Sequence, residues 1–243
     1  MDWSDRGLVI GLRKHGETGV ILEAMTAAHG RHLGVVRGGR SRAHRAVLQP
    51  GNGVALVWRA RLEEHLGAFE VEPDRLRAAA LIHSPMALHG LQWLAVLLRL
   101  LPERENFSRL FAMAESLADH LGDSRRAPEL MVRFELAVLA ELGFGLDLER
   151  CAVSGAREQL AFVSPRSGRA VALGEAGRWA DRLLVLPAFV LDSPREDAPD
   201  AQALEAGLRL TAYFLQKDLF GPRGADVSGS RDLFIKEYMR SVA

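Results

Sequence analysis

The sequence predicts an α+β protein, a small all-β domain followed by an all-α domain. Two observations predict it. Short runs rich in Val, Ile and Leu, parted by glycine-bearing stretches, fill the first seventy-odd residues, and after Pro73 the pattern turns helical. Gly7 to Leu12, Val20 to Ala24, Leu33 to Val36, Val54 to Arg59 and Leu66 to Val71 read as strands. His15 to Gly19, Gly38-Gly39 and Pro50 to Gly53 separate several of them. Five short strands at fairly regular spacing favour a closed barrel, because closure removes the edges so short a sheet would expose. An OB-type barrel is the natural candidate for that strand count.

The helical elements follow in order. Ser84-Pro85 supplies a capping hydroxyl and a first-turn proline, and Leu91, Leu94, Leu98 and Leu101 share a face until Pro102. Phe107, Leu110, Phe111, Ala114, Leu117, Ala118 and Leu121 form a second stripe, closed by Gly122. A third helix runs from near Pro128 to Gly143 and is apolar nearly all round, which places it at the centre of the helical layer. Residues 146–192 read as an irregular insert, and Asp192 to Asp200 as an exposed acidic, proline-rich loop. Leu204, Leu208, Ala212, Leu215 and Leu219 mark a further helix stopped by Gly221-Pro222, and a last one begins near Ser230. The expected domains are 1–75, an OB-fold DNA-binding domain, and 76–243, a helical domain that includes the insert.

Bulk composition narrows the function only slightly. The 243 residues carry 31 Lys plus Arg and 31 Asp plus Glu, so any nucleic-acid case must rest on where the charges sit. Cys151 is the single cysteine, which rules out an internal disulfide and a four-cysteine metal cage and suits a reducing, cytoplasmic setting. The opening Met1 to Asp5 does not look like a signal peptide. The most apolar stretch, Met86 to Leu101, is shorter than the ~20 residues a membrane span needs and carries His89, Gln92 and Arg99. No membrane association is expected.

Charge placement is more informative. No acidic residue stands between Glu23 and Glu63, whereas Arg31, Arg37, Arg40, Arg42, Arg45, Arg59 and Arg61 all do. Five of these lie between Arg31 and Arg45, around Gly38-Gly39, where guanidinium groups on a mobile loop would suit phosphate. A solvated, arginine-rich loop is the plain alternative. Trp58, beside Arg59, reads either as a base-stacking ring or as core, and Phe69 reads as core. The DNA-binding candidates are therefore Arg31, Arg37, Arg40, Arg42, Arg45, Trp58 and Arg59. Catalytic signals are poor. His29 and His32 have no carboxylate or cysteine near them in sequence, Glu63-Glu64 would point to opposite faces of a strand, and residues 34–40 lack the Lys-Ser/Thr ending of a P-loop.

Gly7-Leu8-Val9-Ile10, His15-Gly16-Glu17, and the segment Gly30 to Arg45 ending in Arg45-Ala46-Val47-Leu48-Gln49-Pro50 closely resemble the start of RecO recombination mediators. Arg133-Phe134-Glu135-Leu136, Leu142-Gly143-Phe144, Cys151 and Ser164-Pro165 resemble the same family in the same order. The resemblance covers most of the chain and weakens after about Asp192. It implies an OB barrel followed by a helical domain, binding to single- and double-stranded DNA, and annealing of complementary strands. It further implies contact with the tail of single-stranded-DNA-binding protein and, with RecR, help for RecA loading, in the bacterial cytoplasm at the nucleoid.

One departure matters. Many RecO proteins carry a zinc module of two cysteine pairs beginning where Cys151 stands. Here Ser154 takes the second position, and the later pair falls near Ala172 and Glu175. This zinc-less remnant must be held by packing and hydrogen bonds, and no metal or other cofactor is expected. The acidic tail, which ends in a hydrophobic residue with a free carboxylate, needs an apolar pocket beside fixed positive charge. Arg126, Arg133 and Leu136 around the Pro128 helix are the partner-binding candidates. The alternative for Arg133 is an internal pair with Glu129 or Glu135. The resulting reading is a non-enzymatic mediator. Its alternatives are an adapter whose arginine loop docks an acidic protein, and a hydrolase or transferase built from scattered residues.

Overall fold

The structure, a computed structural model, describes residues 1–191, 199–226 and 229–242. The chain forms two compact units, Met1–Gly122 and Asp123–Ala243. In the first, β1 (Asp2–His15), β2 (Gly19–Thr26), β3 (Gly30–Val36), β4 (Gly53–Arg59) and β5 (Ala68–Arg75) close into a barrel of order β1-β2-β3-β5-β4. A short helix, α1 (Arg42–Val47), lies between β3 and β4.

Closure depends on β1. Its first half pairs with β4 (Asp2↔Arg59 to Leu8↔Gly53) and its second half with β2 (Gly7↔Thr26 to His15↔Gly19). The β1–β2 register shifts between Val9 and Gly11, and a bulge at such a point bends the strand so that it can serve two partners. The seam between β3 and β5 is narrow, a single parallel pair at Val35↔Ala68. Alternation along β4 turns Val54, Leu56 and Trp58 inward, where they meet Val9, Leu22, Ala24, Val36, Leu48 and Phe69. The observed strands extend beyond the hydrophobic runs, because polar residues at strand ends keep pairing without adding to an apolar pattern.

The first unit also holds α2 (Ala78–Leu81), α3 (Pro85–Leu98) and α4 (Ser108–His120). Ser84 caps α3 by accepting from the Ala87 amide, with Pro85 in the first turn, as the sequence predicts. Buried Arg77 ties the barrel's end to α4, donating to Asp119 at 2.6 Å and Glu115 at 3.0 Å. Asn52 accepts from the amides of Arg77 and Ala78 at 2.8 and 2.9 Å. Arg99, at the end of α3, binds Glu23 of β2 at 2.8 Å and the Ile10 carbonyl at 3.0 Å. Polar contacts therefore fasten these helices to the barrel.

In the second unit α5 (Ala127–Glu141) is central, with Met131, Val132, Phe134, Val138 and Leu139 fully buried. The 146–192 region contains a small sheet of order β7-β6-β8, made of β6 (Leu160–Val163), β7 (Ala170–Ala172) and β8 (Leu184–Val185). Strands of two to four residues are too short to show period-two alternation, so the sequence pattern does not reveal them. Between and after them lie α6 (Leu173–Ala176), a 3-10 turn (Gly177–Arg182) and α7 (Ala188–Leu191). The expected acidic loop falls largely on residues 192–198, outside the described residues. Asp200 caps α8 (Ala201–Phe214) by accepting from Ala203 at 2.7 Å. A π-helical turn, Leu215–Phe220, continues α8, and α9 (Ser230–Val242) follows. Among the described residues no helix is long and apolar enough to cross a membrane.

Candidate nucleic-acid interface

The arginine-rich segment is built round a capped helix, where the sequence pattern predicts a loop. Gly38 turns the chain at φ +62°, a conformation that disfavours residues with a Cβ. At Gly39 an added Cβ would lie 2.5 Å from the Val20 side chain, so this glycine permits close packing. Ser41 then caps α1 by accepting from the His44 amide. Leu48, 2% exposed, inserts into the barrel core behind the helix. Asn52 donates to the carbonyls of Ala46 and Val47 at 3.0 and 2.9 Å, and so holds the helix's C-terminal end.

On this scaffold Arg37, Arg40, Arg42 and Arg45 are exposed. Arg40 and Arg45 converge with Lys14 around a groove of about 360 Å³ whose floor is Leu12, Val20 and Leu48. Arg40 donates to the Glu17 carbonyl, which orients its guanidinium without neutralising it. Lys14, Arg42 and Arg45 make no ion pair among the described residues. Sequence reasoning missed Lys14 because it lies before Glu17 and Glu23, outside the acid-free window. Strand register carries the signal: Lys14 pairs with Val20, the residue against which Gly39 packs.

The other sequence candidates lie elsewhere. Arg37 and Arg59 line a separate groove of about 810 Å³, together with Asp2, His44, Glu70 and Glu72. Arg59 is ion-paired to Glu70 of β5, so the missing counter-charge arrives from the neighbouring strand. Arg31 is corrected more strongly. Its side chain is only 13% exposed, and its guanidinium contacts Glu23 and Glu103, each at 3.1 Å. It also faces the Leu101 carbonyl, and these carboxylates leave it little charge for a phosphate. Trp58 is 1% exposed and donates its indole N–H to the Leu66 carbonyl at 3.1 Å. It belongs to the core, where no base can reach it. Phe69, 4% exposed, is core as expected.

In the second unit Arg126 is exposed just before α5, and Leu136 is half-buried on that helix. Arg133 donates to Glu129 at 2.8 Å and to the Phe189 carbonyl at 2.6 Å, with its guanidinium over the Phe189 ring. Its charge is committed internally, the alternative that the apolar character of this helix had raised.

Cys151 is buried, and its Sγ accepts from the amides of Ala172 at 3.2 Å and Val153 at 3.5 Å. Burial raises the thiol pKa, but hydrogen bonds from Ser154, Ala172 and Val153 outweigh it and bring the value to about 7. Val171, Ala172, Leu160, Phe162 and Leu183 pack round the sulfur. Packing and amide–sulfur bonds thus hold the segment. A set of one thiol, a hydroxyl, an alanine and an exposed glutamate does not fit zinc. Among the described residues no group of three or more His, Cys, Asp or Glu could hold a metal ion.

Two family models match the chain, the N-terminal part of recombination protein O over residues 1–73 and its C-terminal part over 87–226. The chain belongs to the RecO family. DNA repair protein RecO of Sinorhizobium medicae is 52% identical over 242 residues, covering 100% of this chain and 96% of that protein. DNA repair protein RecO of Methylobacterium nodulans is 54% identical over 238 residues, 97% of each chain. That of Rhizobium etli CFN 42 is 52% identical over 242 residues, covering 100% of this chain and 94% of the relative. Membership in this family of DNA repair proteins agrees with the barrel and the helical unit described above.

Proposed function

We propose that the chain is a DNA repair mediator that binds single- and double-stranded DNA and anneals complementary strands. Acting with RecR in the bacterial cytoplasm, it helps RecA load onto strands coated by single-stranded-DNA-binding protein, and it performs no covalent chemistry. We place the principal DNA contact in residues 1–75 and the contact with the tail of single-stranded-DNA-binding protein in 76–243. The observation that carries this reading is the groove in which Lys14, Arg40 and Arg45 surround an apolar floor on the barrel. Cations there displace condensed counterions from phosphate, and neutralising two strands at once lowers the repulsion that keeps complements apart. Arg37 and Arg42, exposed on the same segment, extend the positive surface. For the tail of single-stranded-DNA-binding protein, Arg126 and Leu136 remain the contacts, and Arg133 braces the helix that follows Arg126 and carries Leu136.

The test is a salt titration with a single-stranded oligonucleotide. Each phosphate contact contributes about 0.7 to the slope of log affinity against log salt. Replacing Lys14, Arg40 and Arg45 by alanine flattens that slope by roughly 2, weakens binding for all sequences and slows annealing. An unchanged slope would move the DNA contact elsewhere. Loss of affinity for an acidic protein with DNA binding intact would favour the adapter reading.

A further inference from the structure

The chain has four tryptophans, and three have ordinary roles. Trp58 and Trp93 are each 1% exposed, and Trp3 is stacked between His29 and Trp58, with ring centroids at 4.0 and 5.6 Å. Trp179 differs. It sits in the 3-10 turn Gly177–Arg182 of the second unit, is 48% exposed, and takes no part in the apolar cluster round Cys151. Leaving so large an aromatic surface in water forgoes the stabilisation its burial would bring.

Its neighbours say what it is suited to. The guanidinium carbons of Arg178 and Arg182 lie 5.1 and 5.3 Å from the ring, within cation–π range. Both arginines are exposed, and neither makes an ion pair among the described residues, although Glu175 and Asp181 lie within three residues of Arg178. Guanidinium groups held against a ring keep N–H donors along their edges. The result is an aromatic and guanidinium platform with free donors at its rim.

We infer that Trp179, Arg178 and Arg182 form a second nucleic-acid contact, specific for unpaired bases. The inference rests on the DNA-binding reading and assigns the second unit a role in it. A base offers a flat π face to the indole or to a guanidinium plane, while its flanking phosphates meet the arginine N–H groups. Duplex bases are stacked on one another and present no such face. An acidic peptide without aromatic side chains has no ring system to lay on the platform.

The experiment titrates the full chain with an oligodeoxythymidylate and, separately, with a duplex of the same length. Because Trp179 is the most exposed tryptophan, wild-type emission falls as single strand binds, and Trp179→Phe removes most of that change while keeping most of the affinity. Stacking is worth about 1–3 kcal/mol per base, so Trp179→Ala weakens single-strand binding by roughly 5- to 150-fold and leaves duplex binding nearly unchanged. Arg178→Gln with Arg182→Gln lowers the salt dependence of single-strand binding. Melting curves superimposable on wild type confirm that the variants fold. If the wild type binds no DNA, the proposed function fails before this site is reached. If the wild type binds and Trp179→Ala binds equally well, this inference alone is overturned. Equal losses for duplex and single strand, or loss of an acidic peptide with DNA binding unaffected, overturn it as well.

Discussion

Replacing Arg231 by methionine should destabilise the second unit more than most single changes, because it would strand a buried charge. Arg231 is 3% exposed, and its guanidinium grips both oxygens of Glu135 at 2.8 and 3.0 Å. It also donates to the Leu208 carbonyl at 2.7 Å and to the Thr211 hydroxyl at 3.0 Å, while Thr211 itself donates to Glu135. One side chain of α9 thereby closes a polar network with α5 and α8. Removing it leaves the fully buried Glu135 carboxylate without its cation, at a cost of about 3–5 kcal/mol. For a unit of this size that corresponds to a fall in Tm of roughly 10–20 °C. Thr211→Val removes one hydroxyl and should cost about 1–2 kcal/mol. The decisive comparison is Arg231→Met with Glu135→Leu, since removing both charges together should restore much of the loss. Urea melts followed by circular dichroism give the midpoint, and hydrogen exchange at α5 and α9 amides reads the second unit by itself. A single variant that loses under 1 kcal/mol, or a double variant no better than the single, would refute the reasoning.

The remaining predictions concern the barrel and the sulfur site. Trp58→Phe should keep DNA affinity, whereas Trp58→Ala should cost about 3–5 kcal/mol of stability; a folded Trp58→Phe that binds single strands poorly would restore a stacking role. His32 lies among Trp3, Trp58 and Phe69, and neither ring nitrogen is hydrogen-bonded among the described residues; burial first, then the charges of Arg104 and His29, bring its pKa from the usual 6.5 to about 4. The unfolded chain therefore takes up this proton before the native one, so the His32 contribution to stability is complete above pH 6.5 and is lost as pH falls toward 4. His32→Phe should flatten the urea midpoint over that window; an unchanged pH dependence would exclude His32 as its source. Chelators should leave Tm unchanged, because amide donors and not a metal hold the Cys151 sulfur; one zinc per chain by elemental analysis would overturn that.

The sequence made the barrel and the principal helices legible because their signals are local. Glycine-parted apolar runs mark β1 to β5, and Ser84-Pro85 marks the start of α3 within one residue. The sheet of the 146–192 region was hidden, since its strands pair mainly with one another across loops and none is long enough for a pattern. The binding surface was legible only in part, and the reason is register. An acid-free window in sequence is not an acid-free surface. Glu70 reaches Arg59 from the adjacent strand, Glu103 reaches Arg31 across a long separation, and Glu23, at the window's very edge, holds Arg31 and Arg99 together. The same cross-strand logic supplies what the window lacked, by placing Lys14 beside Arg40 and Arg45. Charge in a barrel must therefore be counted along strand pairs. Counted that way, the candidate surface offered to phosphate contracts from six arginines and a tryptophan to the rim of one groove and the exposed arginines next to it. That smaller set makes the salt slope a sharp test, because replacing Arg31 or Arg59 should leave the slope nearly unchanged while replacing Lys14 should not.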